Sequence, residues 1–345
     1  MEVLTERERK VLVLIIEGYI NTAEPIGSKT ISKAKSIMGK WGSATVRNTM
    51  ADLEKLGLLY KPNAVAGRIP THKAFRYYLD SLNIPVYPGK RALHTLDNML
   101  RSRYPYVEGI MGDASRALAA LSKHTGIVVE PSVNTMLFKE IEFVKLTNNT
   151  VLTVFVTSSG TVHTRLVETD EILDNDTLNK MKKYMNGKFS GIPFYALKEG
   201  VLEDMEKDKT IFCQLLQKVN DSLETIVDGE DKREVYLEGV SKIIGVPEFL
   251  DMDKLKELFM ALERKEKLLH LLDKCMKEEG IHVIMGGESD IKEMRDMSII
   301  TSTYKIGEKS YGILGVIGPV RMNYSKIIPI VDYTAKTVTN ILKIM

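Results

Sequence analysis

The chain has 345 residues, 44% of them hydrophobic and 27% charged, with a net charge of +2; that length calls for more than one core, and the composition is ordinary for a globular protein. There is no run of eighteen apolar residues and the first helix opens on Glu6-Arg7-Glu8-Arg9-Lys10, so neither a membrane span nor a secretory leader is expected. Two cysteines, Cys213 and Cys275, make no disulfide framework and suit a reducing cytoplasm, while the charge divides into +6 over the first ninety residues and −4 over the rest, as for an N-terminal part that meets a polyanion.

Thr5 and Glu8 have capping-box spacing, so the first helix starts there, with Leu12, Ile15, Ile16 and Tyr19 as its buried stripe. After Glu24-Pro25, Ser28 is expected to cap a short second helix to about Lys35. Gly39 and Gly42 break the chain around Trp41, and Ser43 is expected to cap a third helix from Ala44 to Leu56, stopped by Gly57. Val46, Met50 and Leu53 form its inner side; Ala44, Arg47, Asn48, Ala51 and Lys55 lie opposite.

Small residues flanking an Arg and an Asn suit a helix that lies in a major groove, where Arg pairs with guanine and Asn with adenine. Ser43 and Thr45, with the free amides of the first turn, are placed to hold a backbone phosphate. A plain three-helix bundle with a solvated polar face fits the same periodicity. The next segment of chain favours the groove: Leu58-Leu59-Tyr60 and Arg68-Ile69-Pro70 flank a Pro- and Gly-containing loop as a β-hairpin. Helix, helix, helix, hairpin is the order of a winged helix-turn-helix, with Lys61 and Arg68 at the wing base as further DNA contacts. Thr71 then caps a helix whose inner face is Phe75, Tyr78, Leu79 and Leu82.

Pro85, Pro88 and Gly89 mark a linker that passes into a helix over Ala92–Ser102, and a second helix covers about Tyr106–His124. From Ile127 the period changes to two, and 127–129, 138–146, 151–156 and 161–167 are predicted as neighbouring antiparallel strands of one sheet. After Asp174 the chain reads as mostly helical, with one long apolar stripe over Asp253–Lys277. Strands return at Ile281–Met285, Ser298–Tyr304 and Tyr311–Ile317, and a closing helix runs over Tyr333–Ile344.

Four N-terminal blocks resemble the heat-inducible transcription repressor HrcA family: Leu4-Thr5-Glu6-Arg7, Glu24 to Thr30, Ser43 to Glu54, and Ala66-Gly67-Arg68-Ile69-Pro70-Thr71. Pro247-Glu248-Phe249 and Gly318-Pro319-Val320-Arg321-Met322-Asn323-Tyr324 extend the resemblance towards the C-terminus. Ala44 stands where that family usually has Pro, and Asn63 and Val65 replace polar wing residues.

The resemblance implies an α+β chain: a winged helix-turn-helix over residues 1–83, a linker and the start of a connecting helix over 84–102, and a GAF-like domain over 103–190 and 251–345. Between the two GAF-like parts, an inserted dimerisation domain is expected at about 191–250. It further implies a homodimer on an inverted-repeat operator ahead of chaperone operons, blocking transcription, with a chaperonin keeping the repressor competent. The alternative is a repressor that uses its GAF-like domain to sense a metabolite. A temperature sensor whose dimer fails on heating, and a module binding RNA or protein, are more distant readings.

No catalytic motif, cofactor or metal site is read. Gly312, Gly315 and Gly318 lack both the Lys-Ser/Thr of a P-loop and the dinucleotide spacing. The six histidines show no ligand spacing with one another or with the cysteines. The expected protein is a cytoplasmic DNA-binding regulator, and not an enzyme.

Overall fold

The computed structural model describes residues 4–37, 39–63, 66–82, 84, 87–100, 107–132, 136–158, 160–168, 174–207, 217, 219, 221, 233–276, 279–288, 291–306 and 310–344. Ala64, Val65, Pro85, Ser102, Tyr106, Cys213 and much of 208–232, on which several sequence expectations fall, lie outside them.

The N-terminal unit forms as its caps dictate. Helix α1 (Glu6–Thr22) carries the full capping box of Thr5 and Glu8 and buries Val11, Leu12, Ile15 and Ile16. Helices α2 (Ser28–Ser32) and α3 (Ser43–Lys55) come next, then strands β1 (Leu59–Tyr60) and β2 (Ile69–Pro70), paired antiparallel with Leu59 opposite Pro70. Helix α4 (His72–Ser81) is capped by the Thr71 side chain on the Ala74 amide. This is the winged helix-turn-helix order. Two local expectations are corrected: α2 ends at Ser32, short of Lys35, and α3 begins at Ser43 itself, with Gly42 at the cap position.

Helices α5 (Lys90–Leu100) and α6 (Val107–Ser122) lead into the body, a five-stranded antiparallel sheet of order β7-β3-β10-β9-β8. Its strands are β3 (Thr125–Val129), β7 (Val235–Glu238), β8 (Ile281–Met285), β9 (Met297–Ile306) and β10 (Ser310–Pro319). Alternate residues serve opposite faces. Val128, Ile300, Leu314 and Val316 pack with α6 and the closing helix α11 (Tyr324–Ile344), while Ile127, Val129, Ile299, Ile313 and Ile317 pack with α9 (Met252–Glu263) and α10 (Lys265–Met276). Both faces of this sheet are covered, and β3, which lies between β7 and β10, is buried throughout. Gly126 lets α6 lie directly on the sheet: a Cβ there would stand 2.2 Å from the Ser115 carbonyl oxygen.

The expected single sheet is corrected. Strands β4 (Phe138–Lys145), β5 (Thr150–Thr157) and β6 (Val162–Glu168) form a separate three-stranded sheet that does not pair with β3. With α7 (Asn175–Phe189) and α8 (Phe194–Lys207) it builds its own core of Phe138, Ile141, Phe155, Met181, Met185 and Phe194. The chain thus leaves the larger sheet at Val129 and rejoins it at Val235. The separately packed unit therefore begins well before the expected 191, and the rejoining strand falls inside the expected 191–250. Period-two patterning marks strands but carries no information on which strands pair, so the two sheets read as one.

Two helical expectations also change. The stripe over 253–277 is two helices, broken at Arg264 where ψ is 80°. The closing helix starts nine residues early, at Tyr324, with Pro329 inside it; a proline lacks the N–H that continues the helix ladder, so in the sequence it reads as an interruption.

The winged helix is not a free appendage. One hydrophobic core runs from Leu12, Ile16 and Phe75 through Leu118 and Ile300 to Val331 and Val338. Phe75 meets both Tyr19 and Tyr324 with ring centres 6.4 Å apart. Two arginines add polar ties. Arg76 of α4 grips both carboxylate oxygens of Glu288 and the Val283 carbonyl. Arg321 pairs with Glu248 at 2.5 Å and donates to the Ile20 carbonyl near the end of α1 at 3.4 Å.

Candidate nucleic-acid interface

Helix α3 owes its attachment to Val46, Thr49, Met50 and Leu53, all buried. That places Ala44, Arg47, Asn48 and Lys55 outward, with Ala51 half-buried beside them. Neither Arg47 nor Asn48 has a hydrogen-bond or ionic partner within the chain among the described residues, so both side chains are available to a ligand. Lys55 touches Asp52 at 3.2 Å from a largely exposed position, a contact worth well under ~1 kcal/mol and easily exchanged for another anion.

The first turn of α3 differs from the sequence expectation. Ser43 is a helical residue rather than the cap, and its hydroxyl lies 3.1 Å from that of Ser28 at the start of α2. The starts of the two helices therefore meet, with Thr45 half-buried alongside and its carbonyl accepting from the Thr49 hydroxyl. The amides of the first turn of α3 have no side-chain cap, which leaves them for water or an anion.

A cleft of about 460 Å³ separates α2 and α3 from the wing, lined by Ser28, Lys29, Arg47, Met50, Lys61 and Gly67 among others. Lys61 is exposed on the wing side. Lys29 was not among the expected site residues; its signal was present in Gly27-Ser28-Lys29-Thr30, a basic residue one step into the helix that precedes α3. Asn63, which replaces a usual wing histidine, folds the wing turn upon itself: its side-chain oxygen accepts from the Ala66 amide at 2.8 Å.

Arg68 is placed differently from the expected DNA contact. Its side chain turns inward and pairs with Glu54 of α3 at 2.8 Å, leaving 17% of that side chain exposed. Its backbone N–H donates to the Ile26 carbonyl and its carbonyl accepts from the Ile26 N–H, both at 2.9 Å. Sequence reasoning also missed Lys73, whose ammonium caps the end of α3 by donating to the Leu56 carbonyl at 3.0 Å.

A second cleft of about 710 Å³ lies between the N-terminal unit and the body, lined by Tyr19, Tyr60, Phe75, Glu248, Lys254 and Arg321 among others. Burial, with the neighbouring Glu248 carboxylate, pushes the Tyr19 phenol up to about 12, so it stays a neutral donor at any physiological pH.

The chain matches the family model described as the HrcA protein C-terminal domain over residues 108–328. Proteins named heat-inducible transcription repressor HrcA resemble it over nearly the full length. The one from Geobacter sulfurreducens is 39% identical, covering 99% of this chain and 98% of that protein. Those from Syntrophobacter fumaroxidans and Brevibacillus brevis are 35% and 32% identical over similar spans. A solved structure described as a hypothetical protein shares the fold with a TM-score of 0.61 at 20% identity, covering 99% of each chain.

Proposed function

Because the chain belongs to the HrcA family of heat-inducible transcription repressors, we propose that α3 is its reading helix and that two copies bind an inverted-repeat operator in duplex DNA. The observation that carries this reading is the outward row of Ala44, Arg47 and Asn48, unpaired, beside a wing that carries Lys61. Arg47 and Asn48 make base-edge hydrogen bonds; Ser43, Thr45, Lys55 and Lys61 hold the phosphates on either side. One helix reads only a few base pairs, so two-fold symmetry in protein and operator multiplies the specificity. Occupancy of a promoter then blocks transcription in the cytoplasm, and no catalytic step is involved.

The partner copy associates through the unit built on β4–β6. One face of that sheet packs on its own helices; the other carries Val144, Val162 and Leu166 exposed at 47%, 53% and 65%, with Leu152 and Val154 between them. Apolar side chains grouped on one sheet face favour burial against another chain. The chaperone operons as targets and the chaperonin that keeps the repressor competent rest on family membership. The metabolite-sensing alternative loses ground at β10, where Gly312 and Gly315 are pressed against Tyr304 and the Ile300 carbonyl as in a filled core.

Selection of bound sequences from random duplexes tests reader and symmetry together. The expected product is a two-fold repeat with half-sites about one or two helical turns apart; recovery of no consensus above bulk DNA removes the reading.

A further inference from the structure

Arg68 sits where a wing residue would be expected to meet DNA, yet every contact that fixes it points into the protein. Its backbone is zipped to Ile26 in the connection between α1 and α2 by two hydrogen bonds of 2.9 Å. The preceding residue allows this approach: a Cβ on Gly67 would lie 2.4 Å from the Ile26 carbonyl carbon and oxygen. Ile26 is itself buried, against Gly18 of α1. The guanidinium reaches the third element and pairs with Glu54, seven residues beyond Arg47 on α3 and so on the same side of that helix.

We infer that Arg68 is a positioning residue for DNA recognition: it fixes the wing at one distance from the reading helix, so that Lys61 is carried to the phosphate backbone beside the bases read by Arg47 and Asn48. The inference rests on the reading of α3 as the recognition helix and deepens it. A two-residue hairpin ladder is too short to hold an orientation alone. The Arg68–Glu54 pair and the Ile26 bridge supply the missing constraint. The Arg68 guanidinium is always charged, and it is held through one Nη atom on Glu54, with its Nε buried and without a hydrogen-bond partner among the described residues.

The two roles predict opposite results for Glu54. If Arg68 touched DNA, removing Glu54 would free its cation and delete a negative charge near the duplex, and binding would tighten. If Arg68 acts through Glu54, E54A loosens the wing and binding weakens although a negative charge has gone. The experiment measures operator affinity against salt for the full chain and for R68A, E54A, K61A and R68A/K61A, with thermal melts to confirm folding. Removing one phosphate contact lowers the slope of log K against log salt by about 0.9. Positioning predicts that R68A, E54A and K61A each abolish the same wing-to-phosphate bond in every half-site, and that R68A/K61A weakens binding no further than either alone. A double variant that loses about twice as much, or an E54A that binds as well as or better than the unsubstituted chain, overturns the inference. Failure of the unsubstituted chain to prefer any duplex overturns the reading beneath it, and is seen before any variant is compared.

Discussion

Replacing Arg321 by Met removes a covered ion pair of the body, with Glu248, together with one of the polar ties to the winged helix, the bond to the Ile20 carbonyl, while keeping most of the aliphatic volume. Arg321 and Glu248 are 17% and 19% exposed and 2.5 Å apart, and the second Glu248 oxygen has no other hydrogen-bond partner. Truncating one side of a fully buried ion pair costs about 3–5 kcal/mol, because the surviving charge is left unpaired. Residual solvent at this pair brings the expected loss to about 2–3 kcal/mol, including the bond to the Ile20 carbonyl. Urea unfolding at 25 °C reads it as a lower midpoint at unchanged m-value. R321M/E248M should cost less than the sum of the single changes by about 1–2 kcal/mol, since the second change removes the orphaned carboxylate. The deficit should shrink little at high salt, because covered pairs are weakly screened. An R321M within about 0.5 kcal/mol of the unsubstituted chain, or strict additivity, would show that the Arg321–Glu248 pair is not coupled as its burial implies.

Arg47→Ala and Asn48→Ala should each relax preference at one base pair per half-site, costing about 1–3 kcal/mol there; unchanged selected sequences would exclude that face of α3. Gly315→Ala would set a Cβ 2.2 Å from the Ile300 carbonyl oxygen between two central strands and should destabilise by about 2–3 kcal/mol; a wild-type urea midpoint would contradict the packing. His124 is held neutral: burial, with the Arg321 and Lys242 cations, pushes it down to about 4 from a free value of 6.5. The unfolded chain therefore takes up a proton that the folded one refuses, so stability is full above pH 6.5 and falls as the pH drops towards 4. His124→Gln should flatten that part of the pH profile, and an identical profile in the variant would count against the assignment.

The N-terminal unit was legible because its determinants are local. A capping box, a 3.6-residue stripe and a Pro- and Gly-bearing hairpin each act over a few residues, and α1, α3, α4 and the wing strands formed where those signals stand. The split of strands into two sheets was not legible. β3 takes its neighbours from β7 and β10, far along the chain, and nothing in alternating hydrophobicity names a partner. In the candidate interface the same divide runs through single residues. The outward direction of Arg47 and Asn48 follows from helical period, whereas the inward turn of Arg68 depends on a carboxylate that only the folded chain brings within 2.8 Å.

Val129 and Val235 face each other in register, and the Glu130 amide continues the ladder to the Glu234 carbonyl at 3.1 Å. Topologically the roughly one hundred residues between them are an overgrown hairpin loop on a stem that closes by itself. The entropy of closing such a loop rises only with the logarithm of its length, so the parent sheet is nearly indifferent to what hangs there. Natural variation can therefore resize, reshape or replace that module, and with it any assembly it mediates, while the register of the stem and the seat of the N-terminal unit stay as they are.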